Sequence, residues 1–182
     1  LAAGTGVNDD ENFVMRAGPF APRDGVMVVR GRFKYSNVDC AVFFGFTETL
    51  DTTTPVMPAE FSGSAMTYNG TGGMIGIQYD ADGTTDDFRA VMGDGGAAIA
   101  ASGNGTRATA TLTADRWFEA EVVLFADGKG EVWFAHSGNA NADSEIPMRL
   151  VERFDTGTVL TTTDLFFACL MIEDRTAAAR TL

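Results

Sequence analysis

One histidine and two cysteines are the whole supply of imidazole and thiol chemistry in this 182-residue chain. His136 stands alone, with no serine or cysteine tied to it by a local motif, and one histidine builds no triad by itself. Cys40 and Cys169 each sit inside an apolar run, in no CxxC pair and far along the chain from His136, so zinc is unsupported. The spacing is compatible with a disulfide or with two buried thiols. Thiols are the expected state, because cysteine packs well as a small apolar residue.

Cations are scarce as well. Thirteen Lys and Arg against 25 Asp and Glu leave a net charge of −12 and a pI near 4.3. Such a chain repels a phosphate backbone, which excludes nucleic acid as an expected partner, and anionic membranes for the same reason. The carboxylates are read as a solubilising surface. No apolar run approaches the ~20 residues that span a bilayer, and no signal peptide is visible. The chain opens at Leu1 rather than Met and closes on RTAAARTL, which reads like the start of a strand, so it is expected to be a processed product or a portion of a longer chain. The GDGG of Gly93–Gly96 is followed by no GK[ST] and is not a phosphate loop. Helical periodicity longer than a turn or two is missing, as are internal repeats and any linker that would divide the chain.

What is present favours strands. The chain holds 21 glycines, frequent threonine, few lysines and leucines, and 45% hydrophobic residues. The clearest segment is DRWFEAEVVLFADGKGEVWFAHSG, Asp115 to Gly138. Phe118, Ala120, Val122, Leu124 and Ala126 share one face, and Trp117, Glu119, Glu121, Val123 and Phe125 share the other. A period of two with one apolar face is a half-buried antiparallel strand. Asp127-Gly128-Lys129-Gly130 supplies the turn. The return strand, Glu131 to His136, puts Val132, Phe134 and His136 opposite Trp133.

Other strands are expected at Phe13–Met15, Gly25–Ser36, Cys40–Glu48, Met74–Tyr79, Phe88–Met92, Arg107–Leu112, Glu145–Val151 and Leu165–Ile172. In Gly25–Ser36, Met27, Val29, Phe33 and Tyr35 face one way and Arg30, Arg32 and Lys34 the other. Gly31 marks a bulge or a close approach there. Met74–Tyr79 and Phe88–Met92 form a hairpin around DADGTTDD, Gly93–Gly105 is a glycine-alanine connection, and Thr49–Gly73 is a long loop of functional or interface type. The organisation predicted is an N-terminal arm, residues 1–23, and one all-β domain, residues 24–182. Its fold class is an antiparallel two-sheet β-sandwich or jelly roll.

Taken together, RGRFKYS, AVFFGFTE, DRWFEAEVVLFADGKGEVWFAHSG and DLFFACLMIEDRTAAARTL resemble the concanavalin A-like, laminin-G and lectin-like jelly roll. The closing strand is similar to versions found in structural proteins of tailed bacteriophages. The resemblance covers most of Gly25 to Leu182. It carries over no catalytic residue. It implies a fold used for carbohydrate binding, protein adhesion or virion surface decoration, a choice that fold alone does not make.

Glu119 and Glu121 are the sharpest catalytic candidates, with carboxylates about 6–7 Å apart by strand rise, against the 5–5.5 Å that a retaining glycosidase uses. Glycosidases of the superfamily carry a third acid on that face, and here Val123 and Phe125 follow. The alternative is a sheet face paired with the basic stripe of Arg30, Arg32 and Lys34. Asp80, Asp82, Asp86 and Asp87 are the candidates for calcium, but the spacing is not that of an EF-hand and the same letters make a hairpin turn. No catalytic, cofactor or metal residue is therefore assigned. Trp117 and Trp133 are sugar-stacking platforms or packing residues.

The function expected is that of a non-enzymatic virion structural protein, a capsid decoration or a surface or fibre subunit. Its partners would be the major capsid protein, other virion proteins or copies of itself. The alternatives are a carbohydrate-binding module exposing Trp117 or Trp133, with a surface glycan as ligand, and a glycosidase using Glu119 and Glu121. The argument for assembly is that Cys40–Glu48 and Leu165–Ile172 are apolar on both faces. Phe43 and Phe167, or Phe44 and Phe166, then need cover from beyond the sandwich core, either from a neighbour or from the Thr49–Gly73 loop.

Overall fold

The computed structural model describes residues 2–3, 12–34, 39–50, 56–62, 64–69, 72–83, 87–99, 105–111, 115–136, 147–155, 159–175 and 180–181. Its strands, in chain order, begin with β1 (Ala2–Ala3), β2 (Asn12–Phe20), β3 (Met27–Lys34), β4 (Cys40–Thr47) and β5 (Ala59–Ser62). They continue with β6 (Ala65–Tyr68), β7 (Met74–Asp80), β8 (Asp87–Asp94), β9 (Ala97–Ala98) and β10 (Thr106–Thr111). The last are β11 (Trp117–Leu124), β12 (Gly130–His136), β13 (Arg149–Phe154), β14 (Phe166–Asp174) and β15 (Arg180–Thr181). The helix among the described residues is one 3-10 turn, Pro22–Asp24.

Two antiparallel sheets face each other, as the alternation predicts. The larger runs β10–β8–β7–β4–β14–β2, with β9 paired to β8, and the smaller runs β13–β12–β11–β3. The core between them is aromatic. The Phe88 ring lies 4.7 Å from Phe134 and 4.9 Å from Phe118, and Phe33 lies 5.8 Å from Phe44. Phe118, Ala120, Val122 and Leu124 are all buried there, while Ala126 lies past the end of β11 and is exposed. Gly31 marks a close approach rather than a bulge. Its pairing with β11 is regular, and a Cβ at that position would sit 2.9 Å from the Phe44 ring.

The central strand β4 is buried along its whole length, yet its second face is covered from within the chain. The segment expected as a loop, Thr49–Gly73, contains the hairpin β5–β6, with Ala59 opposite Tyr68 and Phe61 opposite Met66. Met57, Ala59, Phe61, Met66 and Tyr68 form a second apolar cluster with Ala41, Phe43, Met74, Cys169 and Met171 on the outer face of the larger sheet. Phe43 and Phe166 are fully buried and Phe44 nearly so. Phe167 is half-buried, with the Arg16 guanidinium 5.5 Å over its ring. Of the two sources of cover expected, a neighbour or the Thr49–Gly73 segment, the hairpin within that segment supplies it over β4.

Three boundaries also differ from expectation. The short strand at Phe13–Met15 extends over Asn12–Phe20 and pairs with β14, so this part of the expected arm is a strand of the larger sheet. The strand expected at Glu145–Val151 is Arg149–Phe154, because Phe154 enters the core opposite Gly130 and fixes the register. Residues 137–146 lie outside the described set. Gly93–Gly105 contains β9, folded back on Gly93 and Asp94.

Cys40 faces the sandwich core and Cys169 the hairpin cluster, on opposite faces of one sheet, and both are buried thiols outside any disulfide. Burial pushes the Cys169 thiol up to about 12.

Candidate functional site

Strand alternation places the singled-out polar and aromatic residues together on the outer face of the smaller sheet. In register, Glu121 lies between Arg30 and Trp133, Glu119 between Arg32 and Ala135, Val123 between Val28 and Glu131, and Trp117 beside Lys34. On the far side, Leu150 stands opposite Trp133 and Arg153 opposite Glu131. From Val26 to Lys34 the face is about 27 Å long by strand rise.

The two candidate catalytic carboxylates are neutralised. Arg30 donates from Nε to Glu119 Oε1 at 2.6 Å, and its Nη1 lies 3.7 Å from Glu121 Oε2. The basic stripe thus faces the glutamates across the strand pair. Glu131 is committed too. It accepts from Arg153 Nε at 2.7 Å and from the Trp133 indole N–H at 3.0 Å.

Trp117 is the more accessible indole, 43% exposed, with the Arg32 guanidinium 4.9 Å and the Lys34 ammonium 5.8 Å from its ring. Such stacked cations hold an aromatic platform upright at a wet surface. Trp133 is half-buried, pinned by its bond to Glu131, with exposed Leu150 beside it. Neither tryptophan is a core residue. The face ends in two hollows that share Val26. One, of about 580 Å³, is lined by Phe125, Lys129, Glu131, Arg153 and Asp155, and the other, of about 310 Å³, by Phe20, Ala21, Met27 and Leu165.

The described calcium candidates are held by arginines, Asp82 lying 3.7 Å from Arg175 Nε. Asp80 is fully buried and bonded to Arg175 Nη2 at 2.8 Å, and Asp87 is buried and bonded to Arg107 at 2.8 Å. Asp82 is exposed at the hairpin turn, and Asp86 lies outside the described residues. Among the described residues no group of three His, Cys, Asp or Glu side chains can hold a metal ion. His136 closes β12, with its ring 6.4 Å from Phe134.

The sequence reading missed the cluster that Asp80 belongs to. Arg175 is nearly buried and bonds Asp80 and Glu173 at once, and Asp80 also accepts the backbone N–H groups of Phe61 at 2.8 Å and Asp82 at 3.0 Å. Burial works against the Arg175 charge, but hydrogen bonding to Asp80 and then the charges of Asp80 and Glu173 outweigh it, and its pKa lies above the ordinary arginine value. The cluster pins the β5–β6 hairpin to the sheet. The local signal for that hairpin was the short alternation of Ala59 and Phe61, then Met66 and Tyr68, around Gly63-Ser64. Nothing local links Asp80 to an arginine 95 residues away.

No family model and no curated protein matches the sequence. Solved structures do match. The carbohydrate recognition domain of Emp46p, in its potassium-bound form, aligns with a TM-score of 0.55 at 12% identity, over 98% of this chain and 77% of that one. A protein of unknown function from Shewanella oneidensis MR-1, SO2946, aligns with a TM-score of 0.52 at 12% identity, over 98% of this chain. This chain spans 61% of the length of the Shewanella protein. The likeness is one of fold: the chain is a lectin-like, concanavalin A-like β-sandwich.

Proposed function

We propose that this chain is a non-enzymatic structural subunit of a bacteriophage virion surface, a capsid decoration or fibre component, built on a lectin-like sandwich. The observation that carries the non-enzymatic half is the Arg30 bridge to both Glu119 and Glu121. A glycosidase needs both carboxyls free to reach the sugar, and here one guanidinium engages the pair. The virion half is supported by the likeness of the closing strand, which ends in RTAAARTL, to versions in tailed-phage structural proteins, and by an acidic surface suited to a soluble, non-adhesive shell. Peptide mass spectrometry of purified virions, followed by co-sedimentation of the isolated chain with stripped particles, tests it. Absence of the chain from particles overturns the assignment. Turnover of any β-glucan or galactan that Glu119→Gln or Glu121→Gln abolishes overturns the non-enzymatic half.

A second reading is favoured by one specific feature, the outward aromatic platform of Trp117 and Trp133. On this reading the outer face of the smaller sheet binds a neutral glycan through stacking and the paired Arg and Glu side chains. The carbohydrate recognition domain named for Emp46p lends it support through a shared fold. Glycan-array binding lost in Trp117→Ala and retained in a distant surface variant is the expected result, and an empty array refutes it.

A further inference from the structure

Seven large apolar side chains are exposed among the described residues, and three of them, Phe20, Val26 and Leu165, line the hollow of about 310 Å³. Single exposed apolar side chains are ordinary, but a cluster of them around a concavity marks a contact surface. The rest of the lining is Pro19, Ala21, Gly25 and Met27, with one carboxylate, Asp24, whose Oδ1 lies 3.8 Å from Arg23 Nε. Backbone bonds fix the walls. The Arg23 N–H donates to the Thr162 carbonyl at 3.1 Å, and the Asp24 and Gly25 N–H groups donate to Ala21 and Pro22 at 3.0 Å. Phe20 pairs with Phe166, next to Leu165. The hollow is therefore formed before anything enters it, which removes an ordering cost from binding.

Across Val26 lies the hollow of about 580 Å³, and its chemistry differs. Half-buried Phe125 lines it beneath a rim of charges. Four of the five are engaged with one another: Lys129 Nζ lies 2.8 Å from Asp127 Oδ2, and Arg153 Nε donates to Glu131 at 2.7 Å. The fifth, Asp155, is exposed and acts on Lys129 through its field. The rim thus holds three carboxylates against two cations, one negative charge in excess beside an aromatic ring. These walls are fixed as well. The Phe125 N–H donates to the Lys129 carbonyl at 2.8 Å, and the Leu160 N–H donates to the Gly128 carbonyl at 3.0 Å.

We infer that the two hollows about Val26 form one docking site, for a segment of a partner protein that carries an apolar side chain with a lysine or arginine close to it in sequence. This rests on the reading of the chain as a subunit of a larger particle. The apolar side chain fills the smaller hollow against Phe20, Val26 and Leu165. The cation crosses the Phe125 ring, whose face attracts it, and ends beside Asp155. No ion pair is displaced, since Lys129 keeps Asp127 and Arg153 keeps Glu131. An acidic segment would add charge to a rim that already has a carboxylate in excess, on a chain of net charge −12, so a basic one is selected. The same field opposes a second copy of this acidic chain, and the occupant is a different protein.

The test titrates three capped peptides, Ser-Leu-Ser-Lys-Ser, Ser-Leu-Ser-Glu-Ser and Ser-Ser-Ser-Lys-Ser, to millimolar concentration into the intact, isotope-labelled chain. Saturable amide shifts in the nuclear magnetic resonance spectrum are expected at Val26, Met27, Lys129 and Leu165 with the first. The peptide lacking leucine should bind about tenfold more weakly, through the apolar area it no longer buries. The glutamate peptide should bind about threefold more weakly or worse, as loss of an exposed charge pair gives. Leu165→Ser should weaken the first peptide about as much as removing its leucine, and Asp155→Asn should bring the lysine and glutamate peptides closer together, after circular dichroism has confirmed the fold. The absence of shifts with the first peptide overturns the inference. So do equal binding of the lysine and glutamate peptides by the unaltered chain, shifts centred on Trp117 and Trp133 instead, or shifts at the same amides when the chain alone is concentrated, which marks a second copy as the occupant. Co-sedimentation with the stripped particle separates the two readings. Peptide binding at these hollows by a chain that ignores the particle supports the docking site and overturns the subunit reading. Particle binding that survives Leu165→Ser with Asp155→Asn overturns the hollows as the point of attachment and leaves the subunit reading in place.

Discussion

Replacing Arg175 by Met strands two buried carboxylates beneath the β5–β6 hairpin. The Asp80 side chain is 0% exposed and that of Glu173 2%, and Arg175 is bonded to both. Removing one partner of a buried ion pair costs about 3–5 kcal/mol, a large share of the roughly 5–15 kcal/mol by which a domain is stable. At about 2–4 °C per kcal/mol for a chain of this size, the melting temperature should fall by roughly 6–20 °C. The loss should also be uneven. Asp80 accepts the Phe61 N–H and Arg89 lies 5.1 Å over the Phe61 ring, so the hairpin is tied down at the point where the charge balance fails. Urea unfolding gives the global figure, and hydrogen exchange at 59–68 gives the local one. Hairpin amides should exchange well before those of β11 and β12, with dye binding reporting exposure of Phe43, Met66 and Met171. Asp80→Asn, Glu173→Gln and Arg175→Met together remove the stranded charges and keep an acceptor for Phe61, so most of the loss should return. A single-variant loss under about 1 kcal/mol, or a triple variant no more stable than the single one, would refute the claim that this cluster pins the hairpin.

Gly76→Ala places a Cβ 2.5 Å from the Phe44 carbonyl oxygen and 2.7 Å from the Phe43 ring, so it should destabilise by about 1–3 kcal/mol or more, read from urea midpoints. Glu48 has its pKa raised above 4.5, first by burial and then by the charges of Asp164 and Asp94, which outweigh a hydrogen bond from Gly73. The folded state therefore holds that proton more tightly than the unfolded one. The corresponding stability is full below pH 4.5 and is lost as pH rises through the folded value. Glu48→Gln should raise the melting temperature at pH 7, leave it unchanged at pH 4 and flatten the profile between, and an unchanged profile would count against this reading. Cys169, buried with a pKa pushed up to about 12, should resist thiol reagents in the native state and react at the rate of unfolding, with prompt native labelling as the contrary result.

The local alternation of the chain was enough to define the sandwich. Phe118, Val122 and Leu124 bury because a strand's period of two puts them on one face, and Cys40–Glu48 reads as a central strand because both of its faces are apolar. The pairing of Glu119 and Glu121 with a basic strand was legible as well, since Arg30, Arg32 and Lys34 alternate in step with them. Segments without that signal were harder. Gly18-Pro19 hid the length of β2, and the proline-bearing stretch before Ala59 hid a hairpin of four-residue strands whose alternation is too short to stand out.

Which residues face inward along each strand follows from the chain's own alternation, because that depends on neighbours two positions away. What covers each face and which charges meet is set by the packing of distant segments. The second apolar face of β4 is closed by the chain's own hairpin and not by a neighbour, and Asp80 is held by Arg175, 95 residues on. Both depend on contacts between residues far apart in the chain, which the fold brings together and no local pattern encodes.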